Sequence, residues 1–251
     1  MQSIDINNLA IIYMTTETNT DRINSYPVQL PFDVENTELE KDLIENFKKT
    51  AYQYDMYKDI IQISILWRNC YHHYFFCDDP DISVQDINEE WRHIVVFDYE
   101  HEAVRAAVKK LYEICPETAE GIPVGGGLLA GWKVNTDILP ILVNKAFKYG
   151  LRLPASLMAD PMRRWSTVEN TLEISNLYGQ GISTSVRRIP ALADVLNYWG
   201  FSSEYVRPDA IREAVCEGPI KAVNMLETYL NDMEIVIQQY YNISPKEQHG
   251  K

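Results

Sequence analysis

The run Glu100 to Ile114 constrains the fold of this chain more than any other stretch. Ala103, Val104, Ala107, Val108 and Leu111 recur at helical spacing, giving one apolar stripe on an otherwise polar helix. Short apolar runs flank it, Ile94 to Phe97 before and Leu128 to Trp132 after, with the length and residue types of buried strands. Strand, crossover helix and strand make a unit that needs a sheet covered by helices. Three more strands are expected earlier, at Leu9 to Met14, Ile60 to Trp67 and Tyr71 to Cys77. Residues 18–36 read as a long excursion, Thr37 to Tyr54 as a helix, and 78–92 as an acidic loop. From Asp137 onward helical periodicity dominates, roughly over 138–149, 169–178, 188–198, 207–215 and 219–241. Strands first and helices later predict an α/β chain with a helix-rich C-terminal half, read as a single domain over 1–251 with its core at about 8–242 and a frayed tail at 243–251.

The junction after the crossover is chemically the most suggestive place. Leu128-Leu129-Ala130-Gly131-Trp132 runs into Lys133-Val134-Asn135-Thr136-Asp137, and Pro140 falls in the first turn of the following helix, where its missing N–H costs little. An acid at a strand-to-helix junction can hold a cation or organise a polar ligand. Glu17 and Asp232 stand in similar settings. The glycine run Gly125-Gly126-Gly127 has no Lys-Ser/Thr after it, so it reads as a flexible strand entrance rather than a phosphate cradle.

Composition narrows the function classes. The net charge of −13 opposes generic polyanion binding. Yet residues 128–191 carry eight basic and four acidic side chains, among them Arg163, Arg164, Arg187 and Arg188. No apolar run reaches the roughly 18 residues of a membrane span. The N-terminal residues lack a signal-peptide pattern, and a cytoplasmic location is the expectation. Cys70, Cys77, Cys115 and Cys216 show no CxxC spacing and read as free thiols. His72 and His73 lie inside a strand, where alternation sends them to opposite faces.

Three segments in order then carry a resemblance. The first strand ends in Met14-Thr15-Thr16-Glu17-Thr18, the junction holds Gly131 to Pro140, and the last long helix carries Tyr229-Leu230-Asn231-Asp232. Thr171-Leu172-Glu173-Ile174 and Ala191 to Phe201 add to the pattern. Together they resemble the DEDD 3′–5′ exonucleases of the ribonuclease H-like superfamily, in particular the stand-alone group related to the proofreading domain of family-B DNA polymerases. The resemblance implies a mixed five-stranded sheet flanked by helices. It also implies a two-metal site for Mg²⁺ or Mn²⁺, built from Glu17, Asp137 and Asp232, with Tyr229 orienting the attacking water. The partner it implies is single-stranded nucleic acid, DNA first, met by Lys133, Trp132 and the four arginines, with Trp165 and Trp199 as further stacking candidates.

The chain departs from that pattern at telling places. The aspartate of D-x-E, which touches both ions, falls on Thr15; the second motif has Lys133 for Asn and Ile138 for Asp, leaving Asp137 one position early; and Thr228 takes the motif tyrosine's place. Asp33-Val34-Glu35 offers a second register for the first motif, although Pro27 and Pro31 make a poor strand before it. Both registers stay open. Taken singly, Glu17 also fits a loop acid, Asp137 a helix cap and Asp232 a solvated helix residue. The functional alternatives are an active exonuclease, a catalytically inactive exonuclease-fold module that binds nucleic acid or a protein, and an unrelated α/β protein.

Overall fold

A computed structural model describes residues 8–25, 41–46, 58–76, 86–125, 127–158, 170–179, 192–201 and 208–241. The apolar run at the start forms β1 (Leu9–Thr18), followed by the short α1 (Thr20–Ser25) and a helical stretch, α2, over residues 41–46. β2 (Lys58–Trp67) and β3 (Cys70–Phe76) make a hairpin. Its two-residue turn places both Arg68 and Asn69 at positive φ, 52° and 62°, the backbone that matches the twist of paired strands. β4 (Ile87–Asn88) and β5 (Arg92–Phe97) follow, and the crossover helix α3 (Glu100–Ile114) has the bounds its periodicity predicts. Next come β6 (Leu128–Gly131), α4 (Leu139–Lys148), β7 (Thr171–Glu173), α5 (Ile174–Gly179), α6 (Leu192–Tyr198), α7 (Pro208–Glu217) and α8 (Pro219–Tyr241).

The strands form one seven-stranded sheet in the order β4-β5-β3-β2-β1-β6-β7. β2 and β4 pair antiparallel to their neighbours, while the β3–β5, β1–β6 and β6–β7 pairs are parallel. All five expected strands are present, and two more complete the sheet. β7 corrects the expectation of one helix over 169–178, because Thr171–Glu173 pairs with β6 before the helix begins. Three residues are too few for a period of two to stand out.

Helices cover both faces. α3 and α4 close one side over Ile12, Ile63, Ile65 and Leu129, and α5 to α8 close the other over Ile11, Leu66, Phe75 and Ala130. Each buried Ile, Leu or Phe side chain contributes about 1.5–3 kcal/mol, so the two interiors supply most of the driving force. Two glycines allow the close contacts. A side chain at Gly127 would collide with the Ile114 carbonyl, and one at Gly131 would lie 2.9 Å from the Ile12 carbonyl oxygen. Gly127, the last of the glycine run, thus serves tight packing where α3 hands over to β6. Among the described residues no helix is long and apolar enough to cross a membrane.

An ionic node ties the end of β1 to α3 and α4. The buried Lys145 ammonium lies 2.6 Å from both Asp59 Oδ1 and Glu100 Oε1. Glu100 also accepts the Ile60 N–H at 2.7 Å and the Tyr149 hydroxyl. Asp59 accepts from Asn19 at 2.7 Å and pairs with Arg22 at 3.1 Å. Burial pushes the Asp59 carboxyl up, but the hydrogen bonds from Lys145 and Asn19 together outweigh it and hold it below its ordinary range. Lys145→Met strands two carboxylates and should cost about 3–5 kcal/mol of unfolding free energy in urea. A loss under about 1 kcal/mol would mean that water already screens the node.

Candidate functional site

β6 ends at Gly131, and the chain turns through Trp132 and Lys133 into a π-helical turn, Val134–Ile138, that leads directly into α4. Pro140 sits at the start of α4, as its position predicts. Lys133 adopts the left-handed region at φ 60° and ψ 37°, where a side chain with a Cβ costs roughly 1–2 kcal/mol. Glu173 compensates from the end of β7. Its carboxylate accepts the Lys133 N–H at 2.6 Å and the Asn135 N–H at 3.0 Å, and Ser175 Oγ donates to it at 2.6 Å. The acid that organises this junction is therefore Glu173. Asp137 points outward, half exposed, and its carboxylate lies 3.6 Å from the Lys133 ammonium.

Trp132 is a core residue. The residue is buried and its backbone N–H points to Met233 Sδ at 3.3 Å, so it packs β6 against α8 and offers no open face to a base. Tyr229 stacks obliquely on Tyr13, ring centres 4.7 Å apart. Burial, with Tyr13 and Asp232 beside it, pushes the Tyr229 phenol up, so it stays protonated. Asp232 is buried one helical turn further on.

Between α8 and the sheet runs a chain of polar side chains that the sequence reading missed. Thr15 Oγ1 donates to Gln62 Oε1 at 2.9 Å, and the Gln62 amide donates to Ser64 Oγ. Ser64 Oγ lies 2.6 Å from His73 Nδ1, and His73 Nε2 lies 3.4 Å from Glu227 Oε1 on α8. Glu227 closes the chain with a two-pronged grip from Arg92, at 2.6 and 2.7 Å. Arg92 in turn stacks on Trp91, 4.0 Å from the ring centre, and Tyr71 donates to Asn231 at 2.6 Å alongside. Cross-strand register explains the row: Thr15 faces Gln62 on β2, and Ser64 faces His73 on β3. Gln62, Ser64 and His73 have no exposed surface. Ser64, His73 and Glu227 suggest a hydrolytic triad by type, but the hydroxyl is sealed beneath the helix, where no substrate reaches it. The available signal was Gln62 and Ser64, polar residues alternating within an apolar strand.

The expected acids end in different surroundings. Glu17 is exposed at the end of β1, opposite Asp59 on β2; Asp137 is exposed; Asp232 is buried. Asp33, Glu35, Arg163, Arg164, Arg187, Arg188 and Trp165 lie outside the described residues, as do Cys77 and the side chain of Cys216. Among the described residues, the group of three metal-ligating side chains with mutually close donor atoms is Cys70, His72 and His93. None of the expected acids belongs to it. Among the described residues, no buried side-chain nitrogen or oxygen lacks a hydrogen-bond partner, so the polar chain is closed on itself.

No protein-family model matches the chain, and no curated protein matches it.

The polar chain gives the fold a pH dependence whose sign is fixed. Burial, the largest cause, lowers the His73 pKa below 6.5. For Glu227, burial raises the pKa, but hydrogen bonds from His73 and Arg92 together hold it below 4.5. In both cases the unfolded chain takes up its proton first as pH falls, so stability rises with pH. The melting temperature should decline as pH drops below 6.5, where unfolded His73 begins to protonate, and further below 4.5, where unfolded Glu227 follows. Glu227→Gln should melt lower at neutral pH and shrink the second part of that decline, to which Asp59 also contributes. A melting temperature flat from pH 7 to pH 4 would contradict this assignment.

Proposed function

We propose that this chain is a non-catalytic binding module on an exonuclease-like scaffold of the ribonuclease H-like kind. The observation that carries this reading is the fate of Thr15. In the Thr15/Glu17 register, at the position where the resemblance requires an aspartate bridging two metal ions, the chain has a hydroxyl that donates to Gln62 inside a buried row of hydrogen bonds. A threonine there supplies no charge to a hard cation, and its hydroxyl proton is committed to Gln62. The mixed arrangement β3-β2-β1-β6-β7, with α3 and α4 on one face and α8 on the other, is consistent with the implied scaffold. Exposed Glu17 and Asp137 with buried Asp232 fit an eroded site better than a working one.

The charge narrows what such a module binds. At −13 the chain repels a phosphate backbone at long range, and the exposed Lys133 ammonium is partly offset by Asp137 3.6 Å away. A protein is the partner this surface favours over a nucleic acid.

Incubation of the chain with end-labelled single-stranded DNA and Mn²⁺ tests the reading. The strand should stay at full length. Its binding at physiological salt should be no tighter than the non-specific range of roughly 10⁻⁴–10⁻⁶ M. Shortening from the 3′ end that Asp232→Asn abolishes would restore the exonuclease. Tighter, salt-sensitive binding without shortening would make nucleic acid the partner.

A further inference from the structure

On the opposite face of the sheet from the polar chain, three residues of metal-ligating type come together. Cys70 opens β3, and His72 follows two residues later, so strand alternation places both on the α3 side. β5 lies parallel to β3 and sets His93 directly opposite His72. The two imidazole rings are parallel within 4°, with centres 4.9 Å apart. The donor atoms of Cys70, His72 and His93 all lie within 4.8 Å of one another.

We propose that Cys70, His72 and His93 form a binding site for a borderline-soft divalent cation, with Zn²⁺ as the first choice. One thiolate and two imidazoles suit Zn²⁺, Co²⁺ or Cu²⁺ and disfavour Mg²⁺ and Ca²⁺, which take oxygen ligands. Around a tetrahedral zinc, with bonds of about 2.0–2.3 Å, donors sit roughly 3.3–3.7 Å apart. The cluster would reach that spacing by small side-chain rotations of Cys70 and His93, which are only partly buried. The same partial exposure leaves the fourth position to water. Binding breaks the Cys70 S–H bond, forms a sulfur–metal bond and releases the proton to solvent.

One neighbouring charge modulates the site. The Lys110 ammonium acts electrostatically on both Cys70 and His72, and it is itself held by Glu113 at 2.5 Å. A cation beside the cluster weakens metal binding, and Glu113 offsets part of that penalty. The site shares no residue with the exonuclease motifs and stands or falls independently of the proposed function.

The test is a Co²⁺ titration of the reduced, chelator-stripped full chain. One Co²⁺ per chain should bind with a thiolate-to-cobalt charge-transfer band, and Zn²⁺ should displace it. Cys70→Ser should abolish the band, and Cys115→Ser should leave it. His93→Gln should weaken binding roughly 100-fold, at or beyond the 10–100-fold seen for residues that merely support a ligand. Lys110→Met should tighten it, an effect that a purely structural role for the cluster does not produce. Absence of the band in the unmodified chain would overturn the proposal whatever the variants do. So would a band that survives Cys70→Ser.

Discussion

The hydrogen-bonded row from Thr15 to Arg92 decides where α8 lies, and the position of α8 decides what that face of the sheet can do. Apolar burial alone would not fix the helix. Leu226, Leu230, Met233, Val236 and Ile237 supply adhesion, but apolar contacts are tolerant of sliding. The row is not tolerant. Each of its bonds nets only about 0.5–1.5 kcal/mol, yet leaving a buried member without its partner costs about 1–3 kcal/mol. Shifting α8 by one residue would break the Glu227 contacts to His73 and Arg92 together, along with the Tyr71–Asn231 bond. The polar row thus sets the register, and the apolar face supplies the stability.

The same arrangement bears on function. Hydrolysis by two metals needs charged oxygens converging from β1, the β6 junction and the last helix on one wet pocket. Here the β1 position is occupied by a neutral hydroxyl inside the row, and the junction is organised internally by Glu173. The nearby ionic node consumes Asp59 and Glu100 on Lys145. Carboxylates at this end of the sheet serve to pin elements together.

Much of the architecture was legible in the sequence. The α3 stripe and α8 follow from helical periodicity, because each is long enough to repeat its pattern several times, and the five longer strands from short apolar runs of strand length and residue type. β7 was not, since three residues carry no period, and Pro140 was placed correctly because its constraint is local. The sites were harder to see. Thr15, Gln62, Ser64, His73 and Glu227 come from four separate stretches, and only cross-strand register brings them together. His72 and His93 meet for the same reason, through a parallel pairing with no short hairpin to announce it. Resemblance to the exonucleases directed attention to acids at 17, 137 and 232, whereas most of the built polar row, Gln62, Ser64, His73, Arg92 and Glu227, rests on residues that no motif marks.

The central proposal is that a buried hydrogen-bond row stands where the exonuclease resemblance, in its Thr15/Glu17 register, would put a two-metal site. Paramagnetic line broadening by Mn²⁺ in the isotopically labelled chain, followed residue by residue, tests it most directly. The resonances of Thr15, Tyr229 and Asp232 should stay sharp as Mn²⁺ is added. Selective broadening of those three at low Mn²⁺ would place an ion beside β1 and α8 and contradict the account.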